Sequence, residues 1–123
     1  MRRRSTASGV DVLARFEPFS TVSRRALAPL EPHVDVVRLT AGTVLARAGA
    51  PARELAFVLS GEVTTGGVAE GIGTAVGVAA FERGGRHPVD VVATTDVTLV
   101  VVAGPACRWA ADCLLVPTGA AAA

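Results

Sequence analysis

The sequence predicts a mainly β fold with short flanking helices, and three observations carry that expectation. Glycine-bounded apolar runs follow one another closely: Leu39-Thr40-Ala41-Gly42, then Thr43 to Gly49, then Leu55 to Gly61. Glycine permits the positive φ that a sharp corner needs, so strand, corner, strand, corner is the rhythm of a small wound β structure. Half of the 123 residues are hydrophobic but only 4% are aromatic, so alanine and valine fill the core, and β-branched valine favours strands. Leu55 to Leu59 is nearly all apolar, which suits a strand covered on both faces or at least centrally placed, and the late strands are rich in valine.

The elements follow in order. Residues 1–9 are polar and basic, and read as a disordered tail. Ser8-Gly9-Val10-Asp11 fits a capping box, and Val10, Leu13 and Ala14 then share a helical face, so a short helix should run to about Phe16 before Pro18. Ser20 can cap a second helix with Val22, Ala26, Leu27 and Leu30 inward and Arg24-Arg25 outward; Pro29 and Pro32 should stop it. From His33 the period becomes strand-like. The alternation of Val34 to Leu39 slips between Val36 and Val37, which suggests a bulge. Strands should follow at 43–47, 55–60 and 62–65, with Gly66-Gly67 as a hairpin turn. Gly77 to Glu82 can make one helical turn, His87-Pro88 is extended, and 90–93 and 97–102 make two more strands. Pro105 should start a last short helix, with Trp109 able to plug the end of the core, and residues 116–123 read as a second disordered tail.

Composition excludes several function classes. The net charge is +1, so no overall field draws the chain to nucleic acid or to an anionic membrane. All twelve basic residues are arginine, and lysine, asparagine, glutamine and tyrosine are absent, a bias expected of a GC-rich genome. No segment reaches the roughly 18–20 apolar residues that span a bilayer. The polar run Ser5 to Gly9 stands where a signal peptide would be apolar, so a cytoplasmic location is expected. Cys107 and Cys113 lie about 240° apart around a helix, which suits buried free thiols better than a disulfide or a metal site. His33 and His87 are the only histidines, and neither is paired by motif with a nucleophile or carboxylate; an enzyme is not expected. Gly71, Gly73 and Gly77 miss the dinucleotide fingerprint by one residue.

Residues 11–112 resemble the cyclic-nucleotide-binding domain, the β-roll module of the catabolite-activator regulators, protein kinase A regulatory subunits and nucleotide-gated channels. The likeness rests on Leu13 to Phe19 with the helix after Ser20, on Gly42, Gly49 and the run Phe57-Val58-Leu59-Ser60-Gly61-Glu62-Val63, and on Val91 to Val102. It implies a double-stranded β-helix or jelly-roll-like β-roll over about residues 10–115. It also implies a ligand cassette, Phe-Gly-Glu, a short helix, then Pro-Arg-Ala-Ala-Thr, which falls without gaps on Val76 to Asp90. Its candidate ligand-binding residues here are Val76, Gly77, Val78, Ala79, His87, Pro88 and Val89. The glycine is kept as Gly77. The glutamate that accepts from the ribose 2′-hydroxyl falls on Val78, and the arginine that pairs with the cyclic phosphate falls on His87. The next residue donates its backbone N–H to the phosphate in the family, but Pro88 has none. Asp90 stands where the family has a hydroxyl or an apolar residue, and the loop from Val63 to Gly77 is shorter than usual.

The resemblance therefore implies a regulatory or protein-interaction module that has lost tight binding of cyclic AMP or cyclic GMP; the alternative is a small-molecule sensor with a modified cassette. A protein partner is expected, and no catalytic residue, metal or other cofactor. The chain ends about twenty residues after the last expected strand, without the family's long dimerising helix or a basic recognition helix. Sequence-specific DNA binding is accordingly not expected, and the chain should be a monomer or a weak homodimer through strand edges.

Overall fold

A computed structural model of the chain describes residues 3–4, 9–16, 19–77, 80 and 85–104. The capping Ser8, Pro18, the expected terminal helix with Cys107, Trp109 and Cys113, and the 116–123 tail lie outside the described residues.

Among the described residues, nine strands form two antiparallel sheets. They are β1 (Arg3–Arg4), β2 (Val34–Leu39), β3 (Val44–Ala46), β4 (Glu54–Ser60), β5 (Val63–Thr65), β6 (Val68–Glu70), β7 (Ala75–Val76), β8 (Val91–Ala93) and β9 (Val97–Ala103). One sheet has the order β1-β2-β9-β4-β7 and the other β3-β8-β5-β6. The chain thus has the mainly β, wound architecture expected from its glycine rhythm. Gly42 and Gly49 bound β3 with φ of 89° and 84°, and Gly66 and Gly67 close the β5–β6 hairpin at 54° and 88°. Positive φ at both central residues is the turn whose twist matches a two-residue hairpin.

β9 is the spine. It pairs with β2 from Val34↔Val102 to Leu39↔Val97 and with β4 from Glu54↔Ala103 to Ser60↔Thr98. Val100 and Val102 face a first core, whereas Val97, Leu99 and Val101 face a second. The first core lies under the N-terminal helices and includes Val10, Leu13, Phe19, Leu27, Leu55 and Phe57. Phe57 is its centre, with ring centroids 5.3 Å from Phe16 and 5.5 Å, edge-on, from Phe19. The second brings residues of both sheets together, among them Val37, Leu39, Val58, Val63, Val91 and Leu99.

Four details differ from the sequence expectation. Arg3–Arg4 pairs with Val37 and Arg38 as an edge strand, and the first helix, α1 (Gly9–Leu13), begins at Gly9, inside the stretch expected as a disordered tail. The unpaired edge of β2 supplies the backbone partners that hold the arginine pair in line. β2 runs in unbroken register with β9 and has no bulge; the alternation slips because Val36 faces the first core while Val37 faces the second. Ser20 lies in a 3-10 turn, Phe19–Thr21, and Ser23 caps the second helix, α2 (Arg24–Leu27), accepting from the Ala26 N–H at 3.1 Å. Ala26 is exposed as a result, and only Leu27 of the short helix is buried. Pro29 and Pro32 do not end the helical path, because the chain tightens into a 3-10 helix over Ala28–His33. An exposed Arg24–Asp11 ion pair joins the two α-helices.

Candidate functional site

The candidate site lies where β7 leaves the first sheet and the 85–90 segment returns toward β8. Val76 ends β7 opposite Ala56 and is buried. Gly77 follows with φ 105°, and a Cβ there would stand 2.9 Å from the Glu54 carbonyl oxygen, so this corner requires glycine. Its carbonyl accepts from the Ala80 N–H at 3.1 Å, and the Ala80 carbonyl accepts from the Gly85 N–H at 2.7 Å. Val78 and Ala79 lie outside the described residues.

The 85–90 segment is strapped to the corner before β4. Ala52 N donates to Gly85 O at 2.7 Å, His87 N to Ala50 O at 2.9 Å and Gly49 N to His87 O at 2.8 Å. Two side chains reinforce this strap. The Asp90 carboxylate accepts from Ala48 N at 2.6 Å, and the Arg86 guanidinium donates to Gly49 O at 2.8 Å. Sequence reasoning missed both roles, since each bond joins residues about forty positions apart and no local pattern announces it.

Val76, Gly77, His87, Pro88 and Val89 do come together, around a cavity of about 70 Å³ completed by Thr65 and neighbouring alanine and valine side chains. That is well below the roughly 300–1,000 Å³ of pockets that hold small molecules. Its described walls carry no permanent cation. Burial pushes the His87 imidazole below its ordinary value near 6.5, so at neutral pH the ring is uncharged. The Thr65 hydroxyl points to the Glu70 carboxylate at 3.4 Å. The adjacent arginine cannot be read as a one-residue offset replacement, because Arg86 is turned to Gly49 O and is not among the residues lining this cavity. Among the described residues no group of three His, Cys, Asp or Glu side chains gathers to hold a metal, and no helix is long and apolar enough to cross a membrane.

Comparison with known proteins agrees with this geometry. The family model for the cyclic nucleotide-binding domain matches residues 36–110. The crystal structure of a cyclic nucleotide-binding protein from Geobacter metallireducens GS-15 superposes with a TM-score of 0.73 at 18% identity, covering 85% of this chain and 81% of that one. The regulatory domain of Toxoplasma gondii PKA, solved with cAMP, gives 0.64 at 20% identity and covers 78% of this chain and 40% of that one. A cAMP-binding acyltransferase from Mycobacterium smegmatis gives 0.63 at 26% identity over 93% of this chain and 37% of that one. The chain therefore spans less than half the length of the last two. At these identities the first two likenesses show the fold alone. A search of the curated proteins finds no match.

Proposed function

Because this chain belongs to the cyclic nucleotide-binding domain family, we propose that it is a regulatory or protein-interaction module that no longer binds cyclic nucleotides tightly and has no catalytic role. The observation that carries this reading is the cassette cavity, about 70 Å³ and without a cation among its described walls. A ribose phosphate does not fit there unless the strapped 85–90 segment moves. The chemistry points the same way as the space. Exchanging a phosphate-paired arginine for a neutral imidazole removes an interaction whose loss costs about 2–5 kcal/mol. Pro88 offers no N–H, and an unsatisfied phosphate oxygen costs about 1–3 kcal/mol more. Taken together these terms come to about 3–8 kcal/mol, or about a hundredfold or more in affinity.

The sensor alternative, a ligand held by the modified cassette itself, has less support from the same cavity. Isothermal titration of the full chain with cyclic AMP and cyclic GMP at pH 7.5 tests the proposal. The expected result is a dissociation constant in the high-micromolar range or weaker. A constant below about 10 μM would overturn it. Residual phosphate binding should strengthen as the pH falls far enough to charge His87, a window that burial moves below the ordinary histidine range.

A further inference from the structure

A larger space lies beside the closed cassette. Between the two sheets, along the inner face of β9, a slot of about 600 Å³ shares only Val76 and His87 with the small cavity. Its size is that of a small-molecule site. Leu39, Ala56, Leu99 and Val101 make its floor. Its opposite wall is β3, where Val44 and Leu45 both line the slot although they are consecutive. Regular alternation would turn one of them away. The register of β3 against β8 shifts between Val44 and Ala46, and this irregularity presents both side chains to the same space. Val44 is 38% exposed there, one of the few large apolar side chains left open. The slot thus has a floor and one wall of apolar side chains, with Thr43, Arg53, Glu54 and His87 supplying polar groups elsewhere along it.

Its charged lining residues are Arg53 and Glu54, at one end with His87. Glu54 already has an interaction partner. Arg53 has no hydrogen bond or ion pair among the described residues, and it is exposed. Burial keeps His87 uncharged at neutral pH. A ligand entering the slot therefore meets an apolar floor and β3 wall and, among the described residues, one guanidinium without a protein partner, whose planar fork matches a carboxylate or phosphate. We infer that the slot between the sheets binds a small apolar molecule with a single anionic head, its chain against Val44, Leu45 and Leu99 and its head on Arg53. The slot shares Val76 and His87 with the cassette cavity but takes its floor, its β3 wall and its guanidinium from residues outside the cassette, so occupancy of the slot and cyclic nucleotide binding can be tested apart.

Decanoate and octyl phosphate, each below its micelle concentration, are the probes, titrated into the full chain at pH 7.5 by calorimetry. Saturable one-to-one binding of at least one is expected, and the tighter of the two identifies the head group. Arg53→Gln should weaken it tenfold or more, and Arg53→Lys less than Gln. Leu45→Trp, which fills the slot from a half-exposed position, should abolish it while circular dichroism stays native. Absence of binding by both probes overturns the inference. So does affinity unchanged in either Arg53→Gln or Leu45→Trp, or tighter binding of decyltrimethylammonium than of either anion. Cyclic AMP in the same experiment separates the two readings. Tight cyclic AMP binding that leaves decanoate in place refutes the proposed loss of nucleotide binding and leaves the slot standing; silence from both anions and from cyclic AMP refutes the slot alone.

Discussion

Substituting Gly61 with alanine should destabilise the domain far more than the same change at Gly67, although the two glycines have nearly the same backbone. Their φ values are 91° and 88°, so each substitution meets the same unfavourable region, at about 1–2 kcal/mol. Both also gain the same modest stabilisation from a less flexible unfolded chain, which cancels in the comparison. What differs is the space. A Cβ at Gly67 has nothing within 4 Å, whereas at Gly61 it would stand 2.3 Å from the Asp96 carbonyl oxygen and 2.8 Å from Val97 Cγ1. The carbonyl is backbone and cannot rotate aside. It belongs to a turn held to the Gly61 corner by hydrogen bonds from Thr94 N to Glu62 O, at 3.0 Å, and from Glu62 N to Thr95 Oγ1, at 3.0 Å. Overpacking of this kind costs about 1–3 kcal/mol. Gly61→Ala should therefore lose about 2–5 kcal/mol against about 1–2 kcal/mol for Gly67→Ala. A domain of 123 residues has in all roughly 6–18 kcal/mol. Urea unfolding followed by far-UV circular dichroism measures both, with equal slopes confirming a common unfolded reference. If Gly61→Ala proves no more destabilising than Gly67→Ala, the close approach of the 94–96 turn to this corner is wrong.

Phe57→Ala should cost about 3–5 kcal/mol in the same assay, because it removes the ring on which Phe16 and Phe19 converge and leaves a cavity beneath the N-terminal helices; a loss under 1 kcal/mol would mean the helices do not pack there. His87 makes stability depend on pH. Its folded-state pKa is lowered by burial, so the unfolded chain takes up the proton first. The stability associated with the neutral ring is complete above about 6.5 and declines as the pH falls from there toward the folded-state value. Melting temperatures measured from pH 7.5 to 5 should fall less steeply in His87→Gln than in the parent chain, and parallel profiles would refute this.

The strands were legible because their signals are local. Gly66-Gly67, the runs on either side of Gly61 and the valines of β9 each declare an element within a few residues. The errors arose where a residue's role depends on a distant partner. Val36 and Val37 look like a slipped alternation until the helices and the second sheet are known to cover opposite faces of β2. Ser20 and Ser23 are equivalent caps in sequence, and the burial of Phe19 in the core decides between them by holding its own segment in a 3-10 turn. Arg3–Arg4 reads as solvated because its partner strand lies more than thirty residues away. At the candidate site the cassette pattern named five of the residues that line the cavity, Val76, Gly77, His87, Pro88 and Val89, and not Thr65, Ala75, Ala80 or Val91, and the chain pattern contains nothing about volume. The slot between the sheets was likewise invisible, since it depends on a register shift between β3 and β8.

The same long-range bonds show which features of the 85–90 segment the fold itself uses. The 85–90 segment is held mainly through its backbone: His87 contributes its N–H and its carbonyl, and Gly85 its carbonyl. Any residue other than proline can make the bonds required at position 87, so arginine is not needed there for stability. Position 88 makes no hydrogen bond among those that strap the segment, which is why a proline, with no N–H to give, is tolerated at that point. Asp90 adds a carboxylate that satisfies the Ala48 N–H, a bond that serves the corner and owes nothing to a nucleotide. The two cores meet along β9, on the opposite side of β4 from β7 and the cassette corner. The side chains at 87 and 88 take no part in the hydrogen bonds that hold the segment among the described residues. Among the described residues the 85–90 segment is fastened to the 48–52 corner by five hydrogen bonds and to the β5–β6 hairpin by a sixth, from Gly66 N to Asp90 O at 2.9 Å.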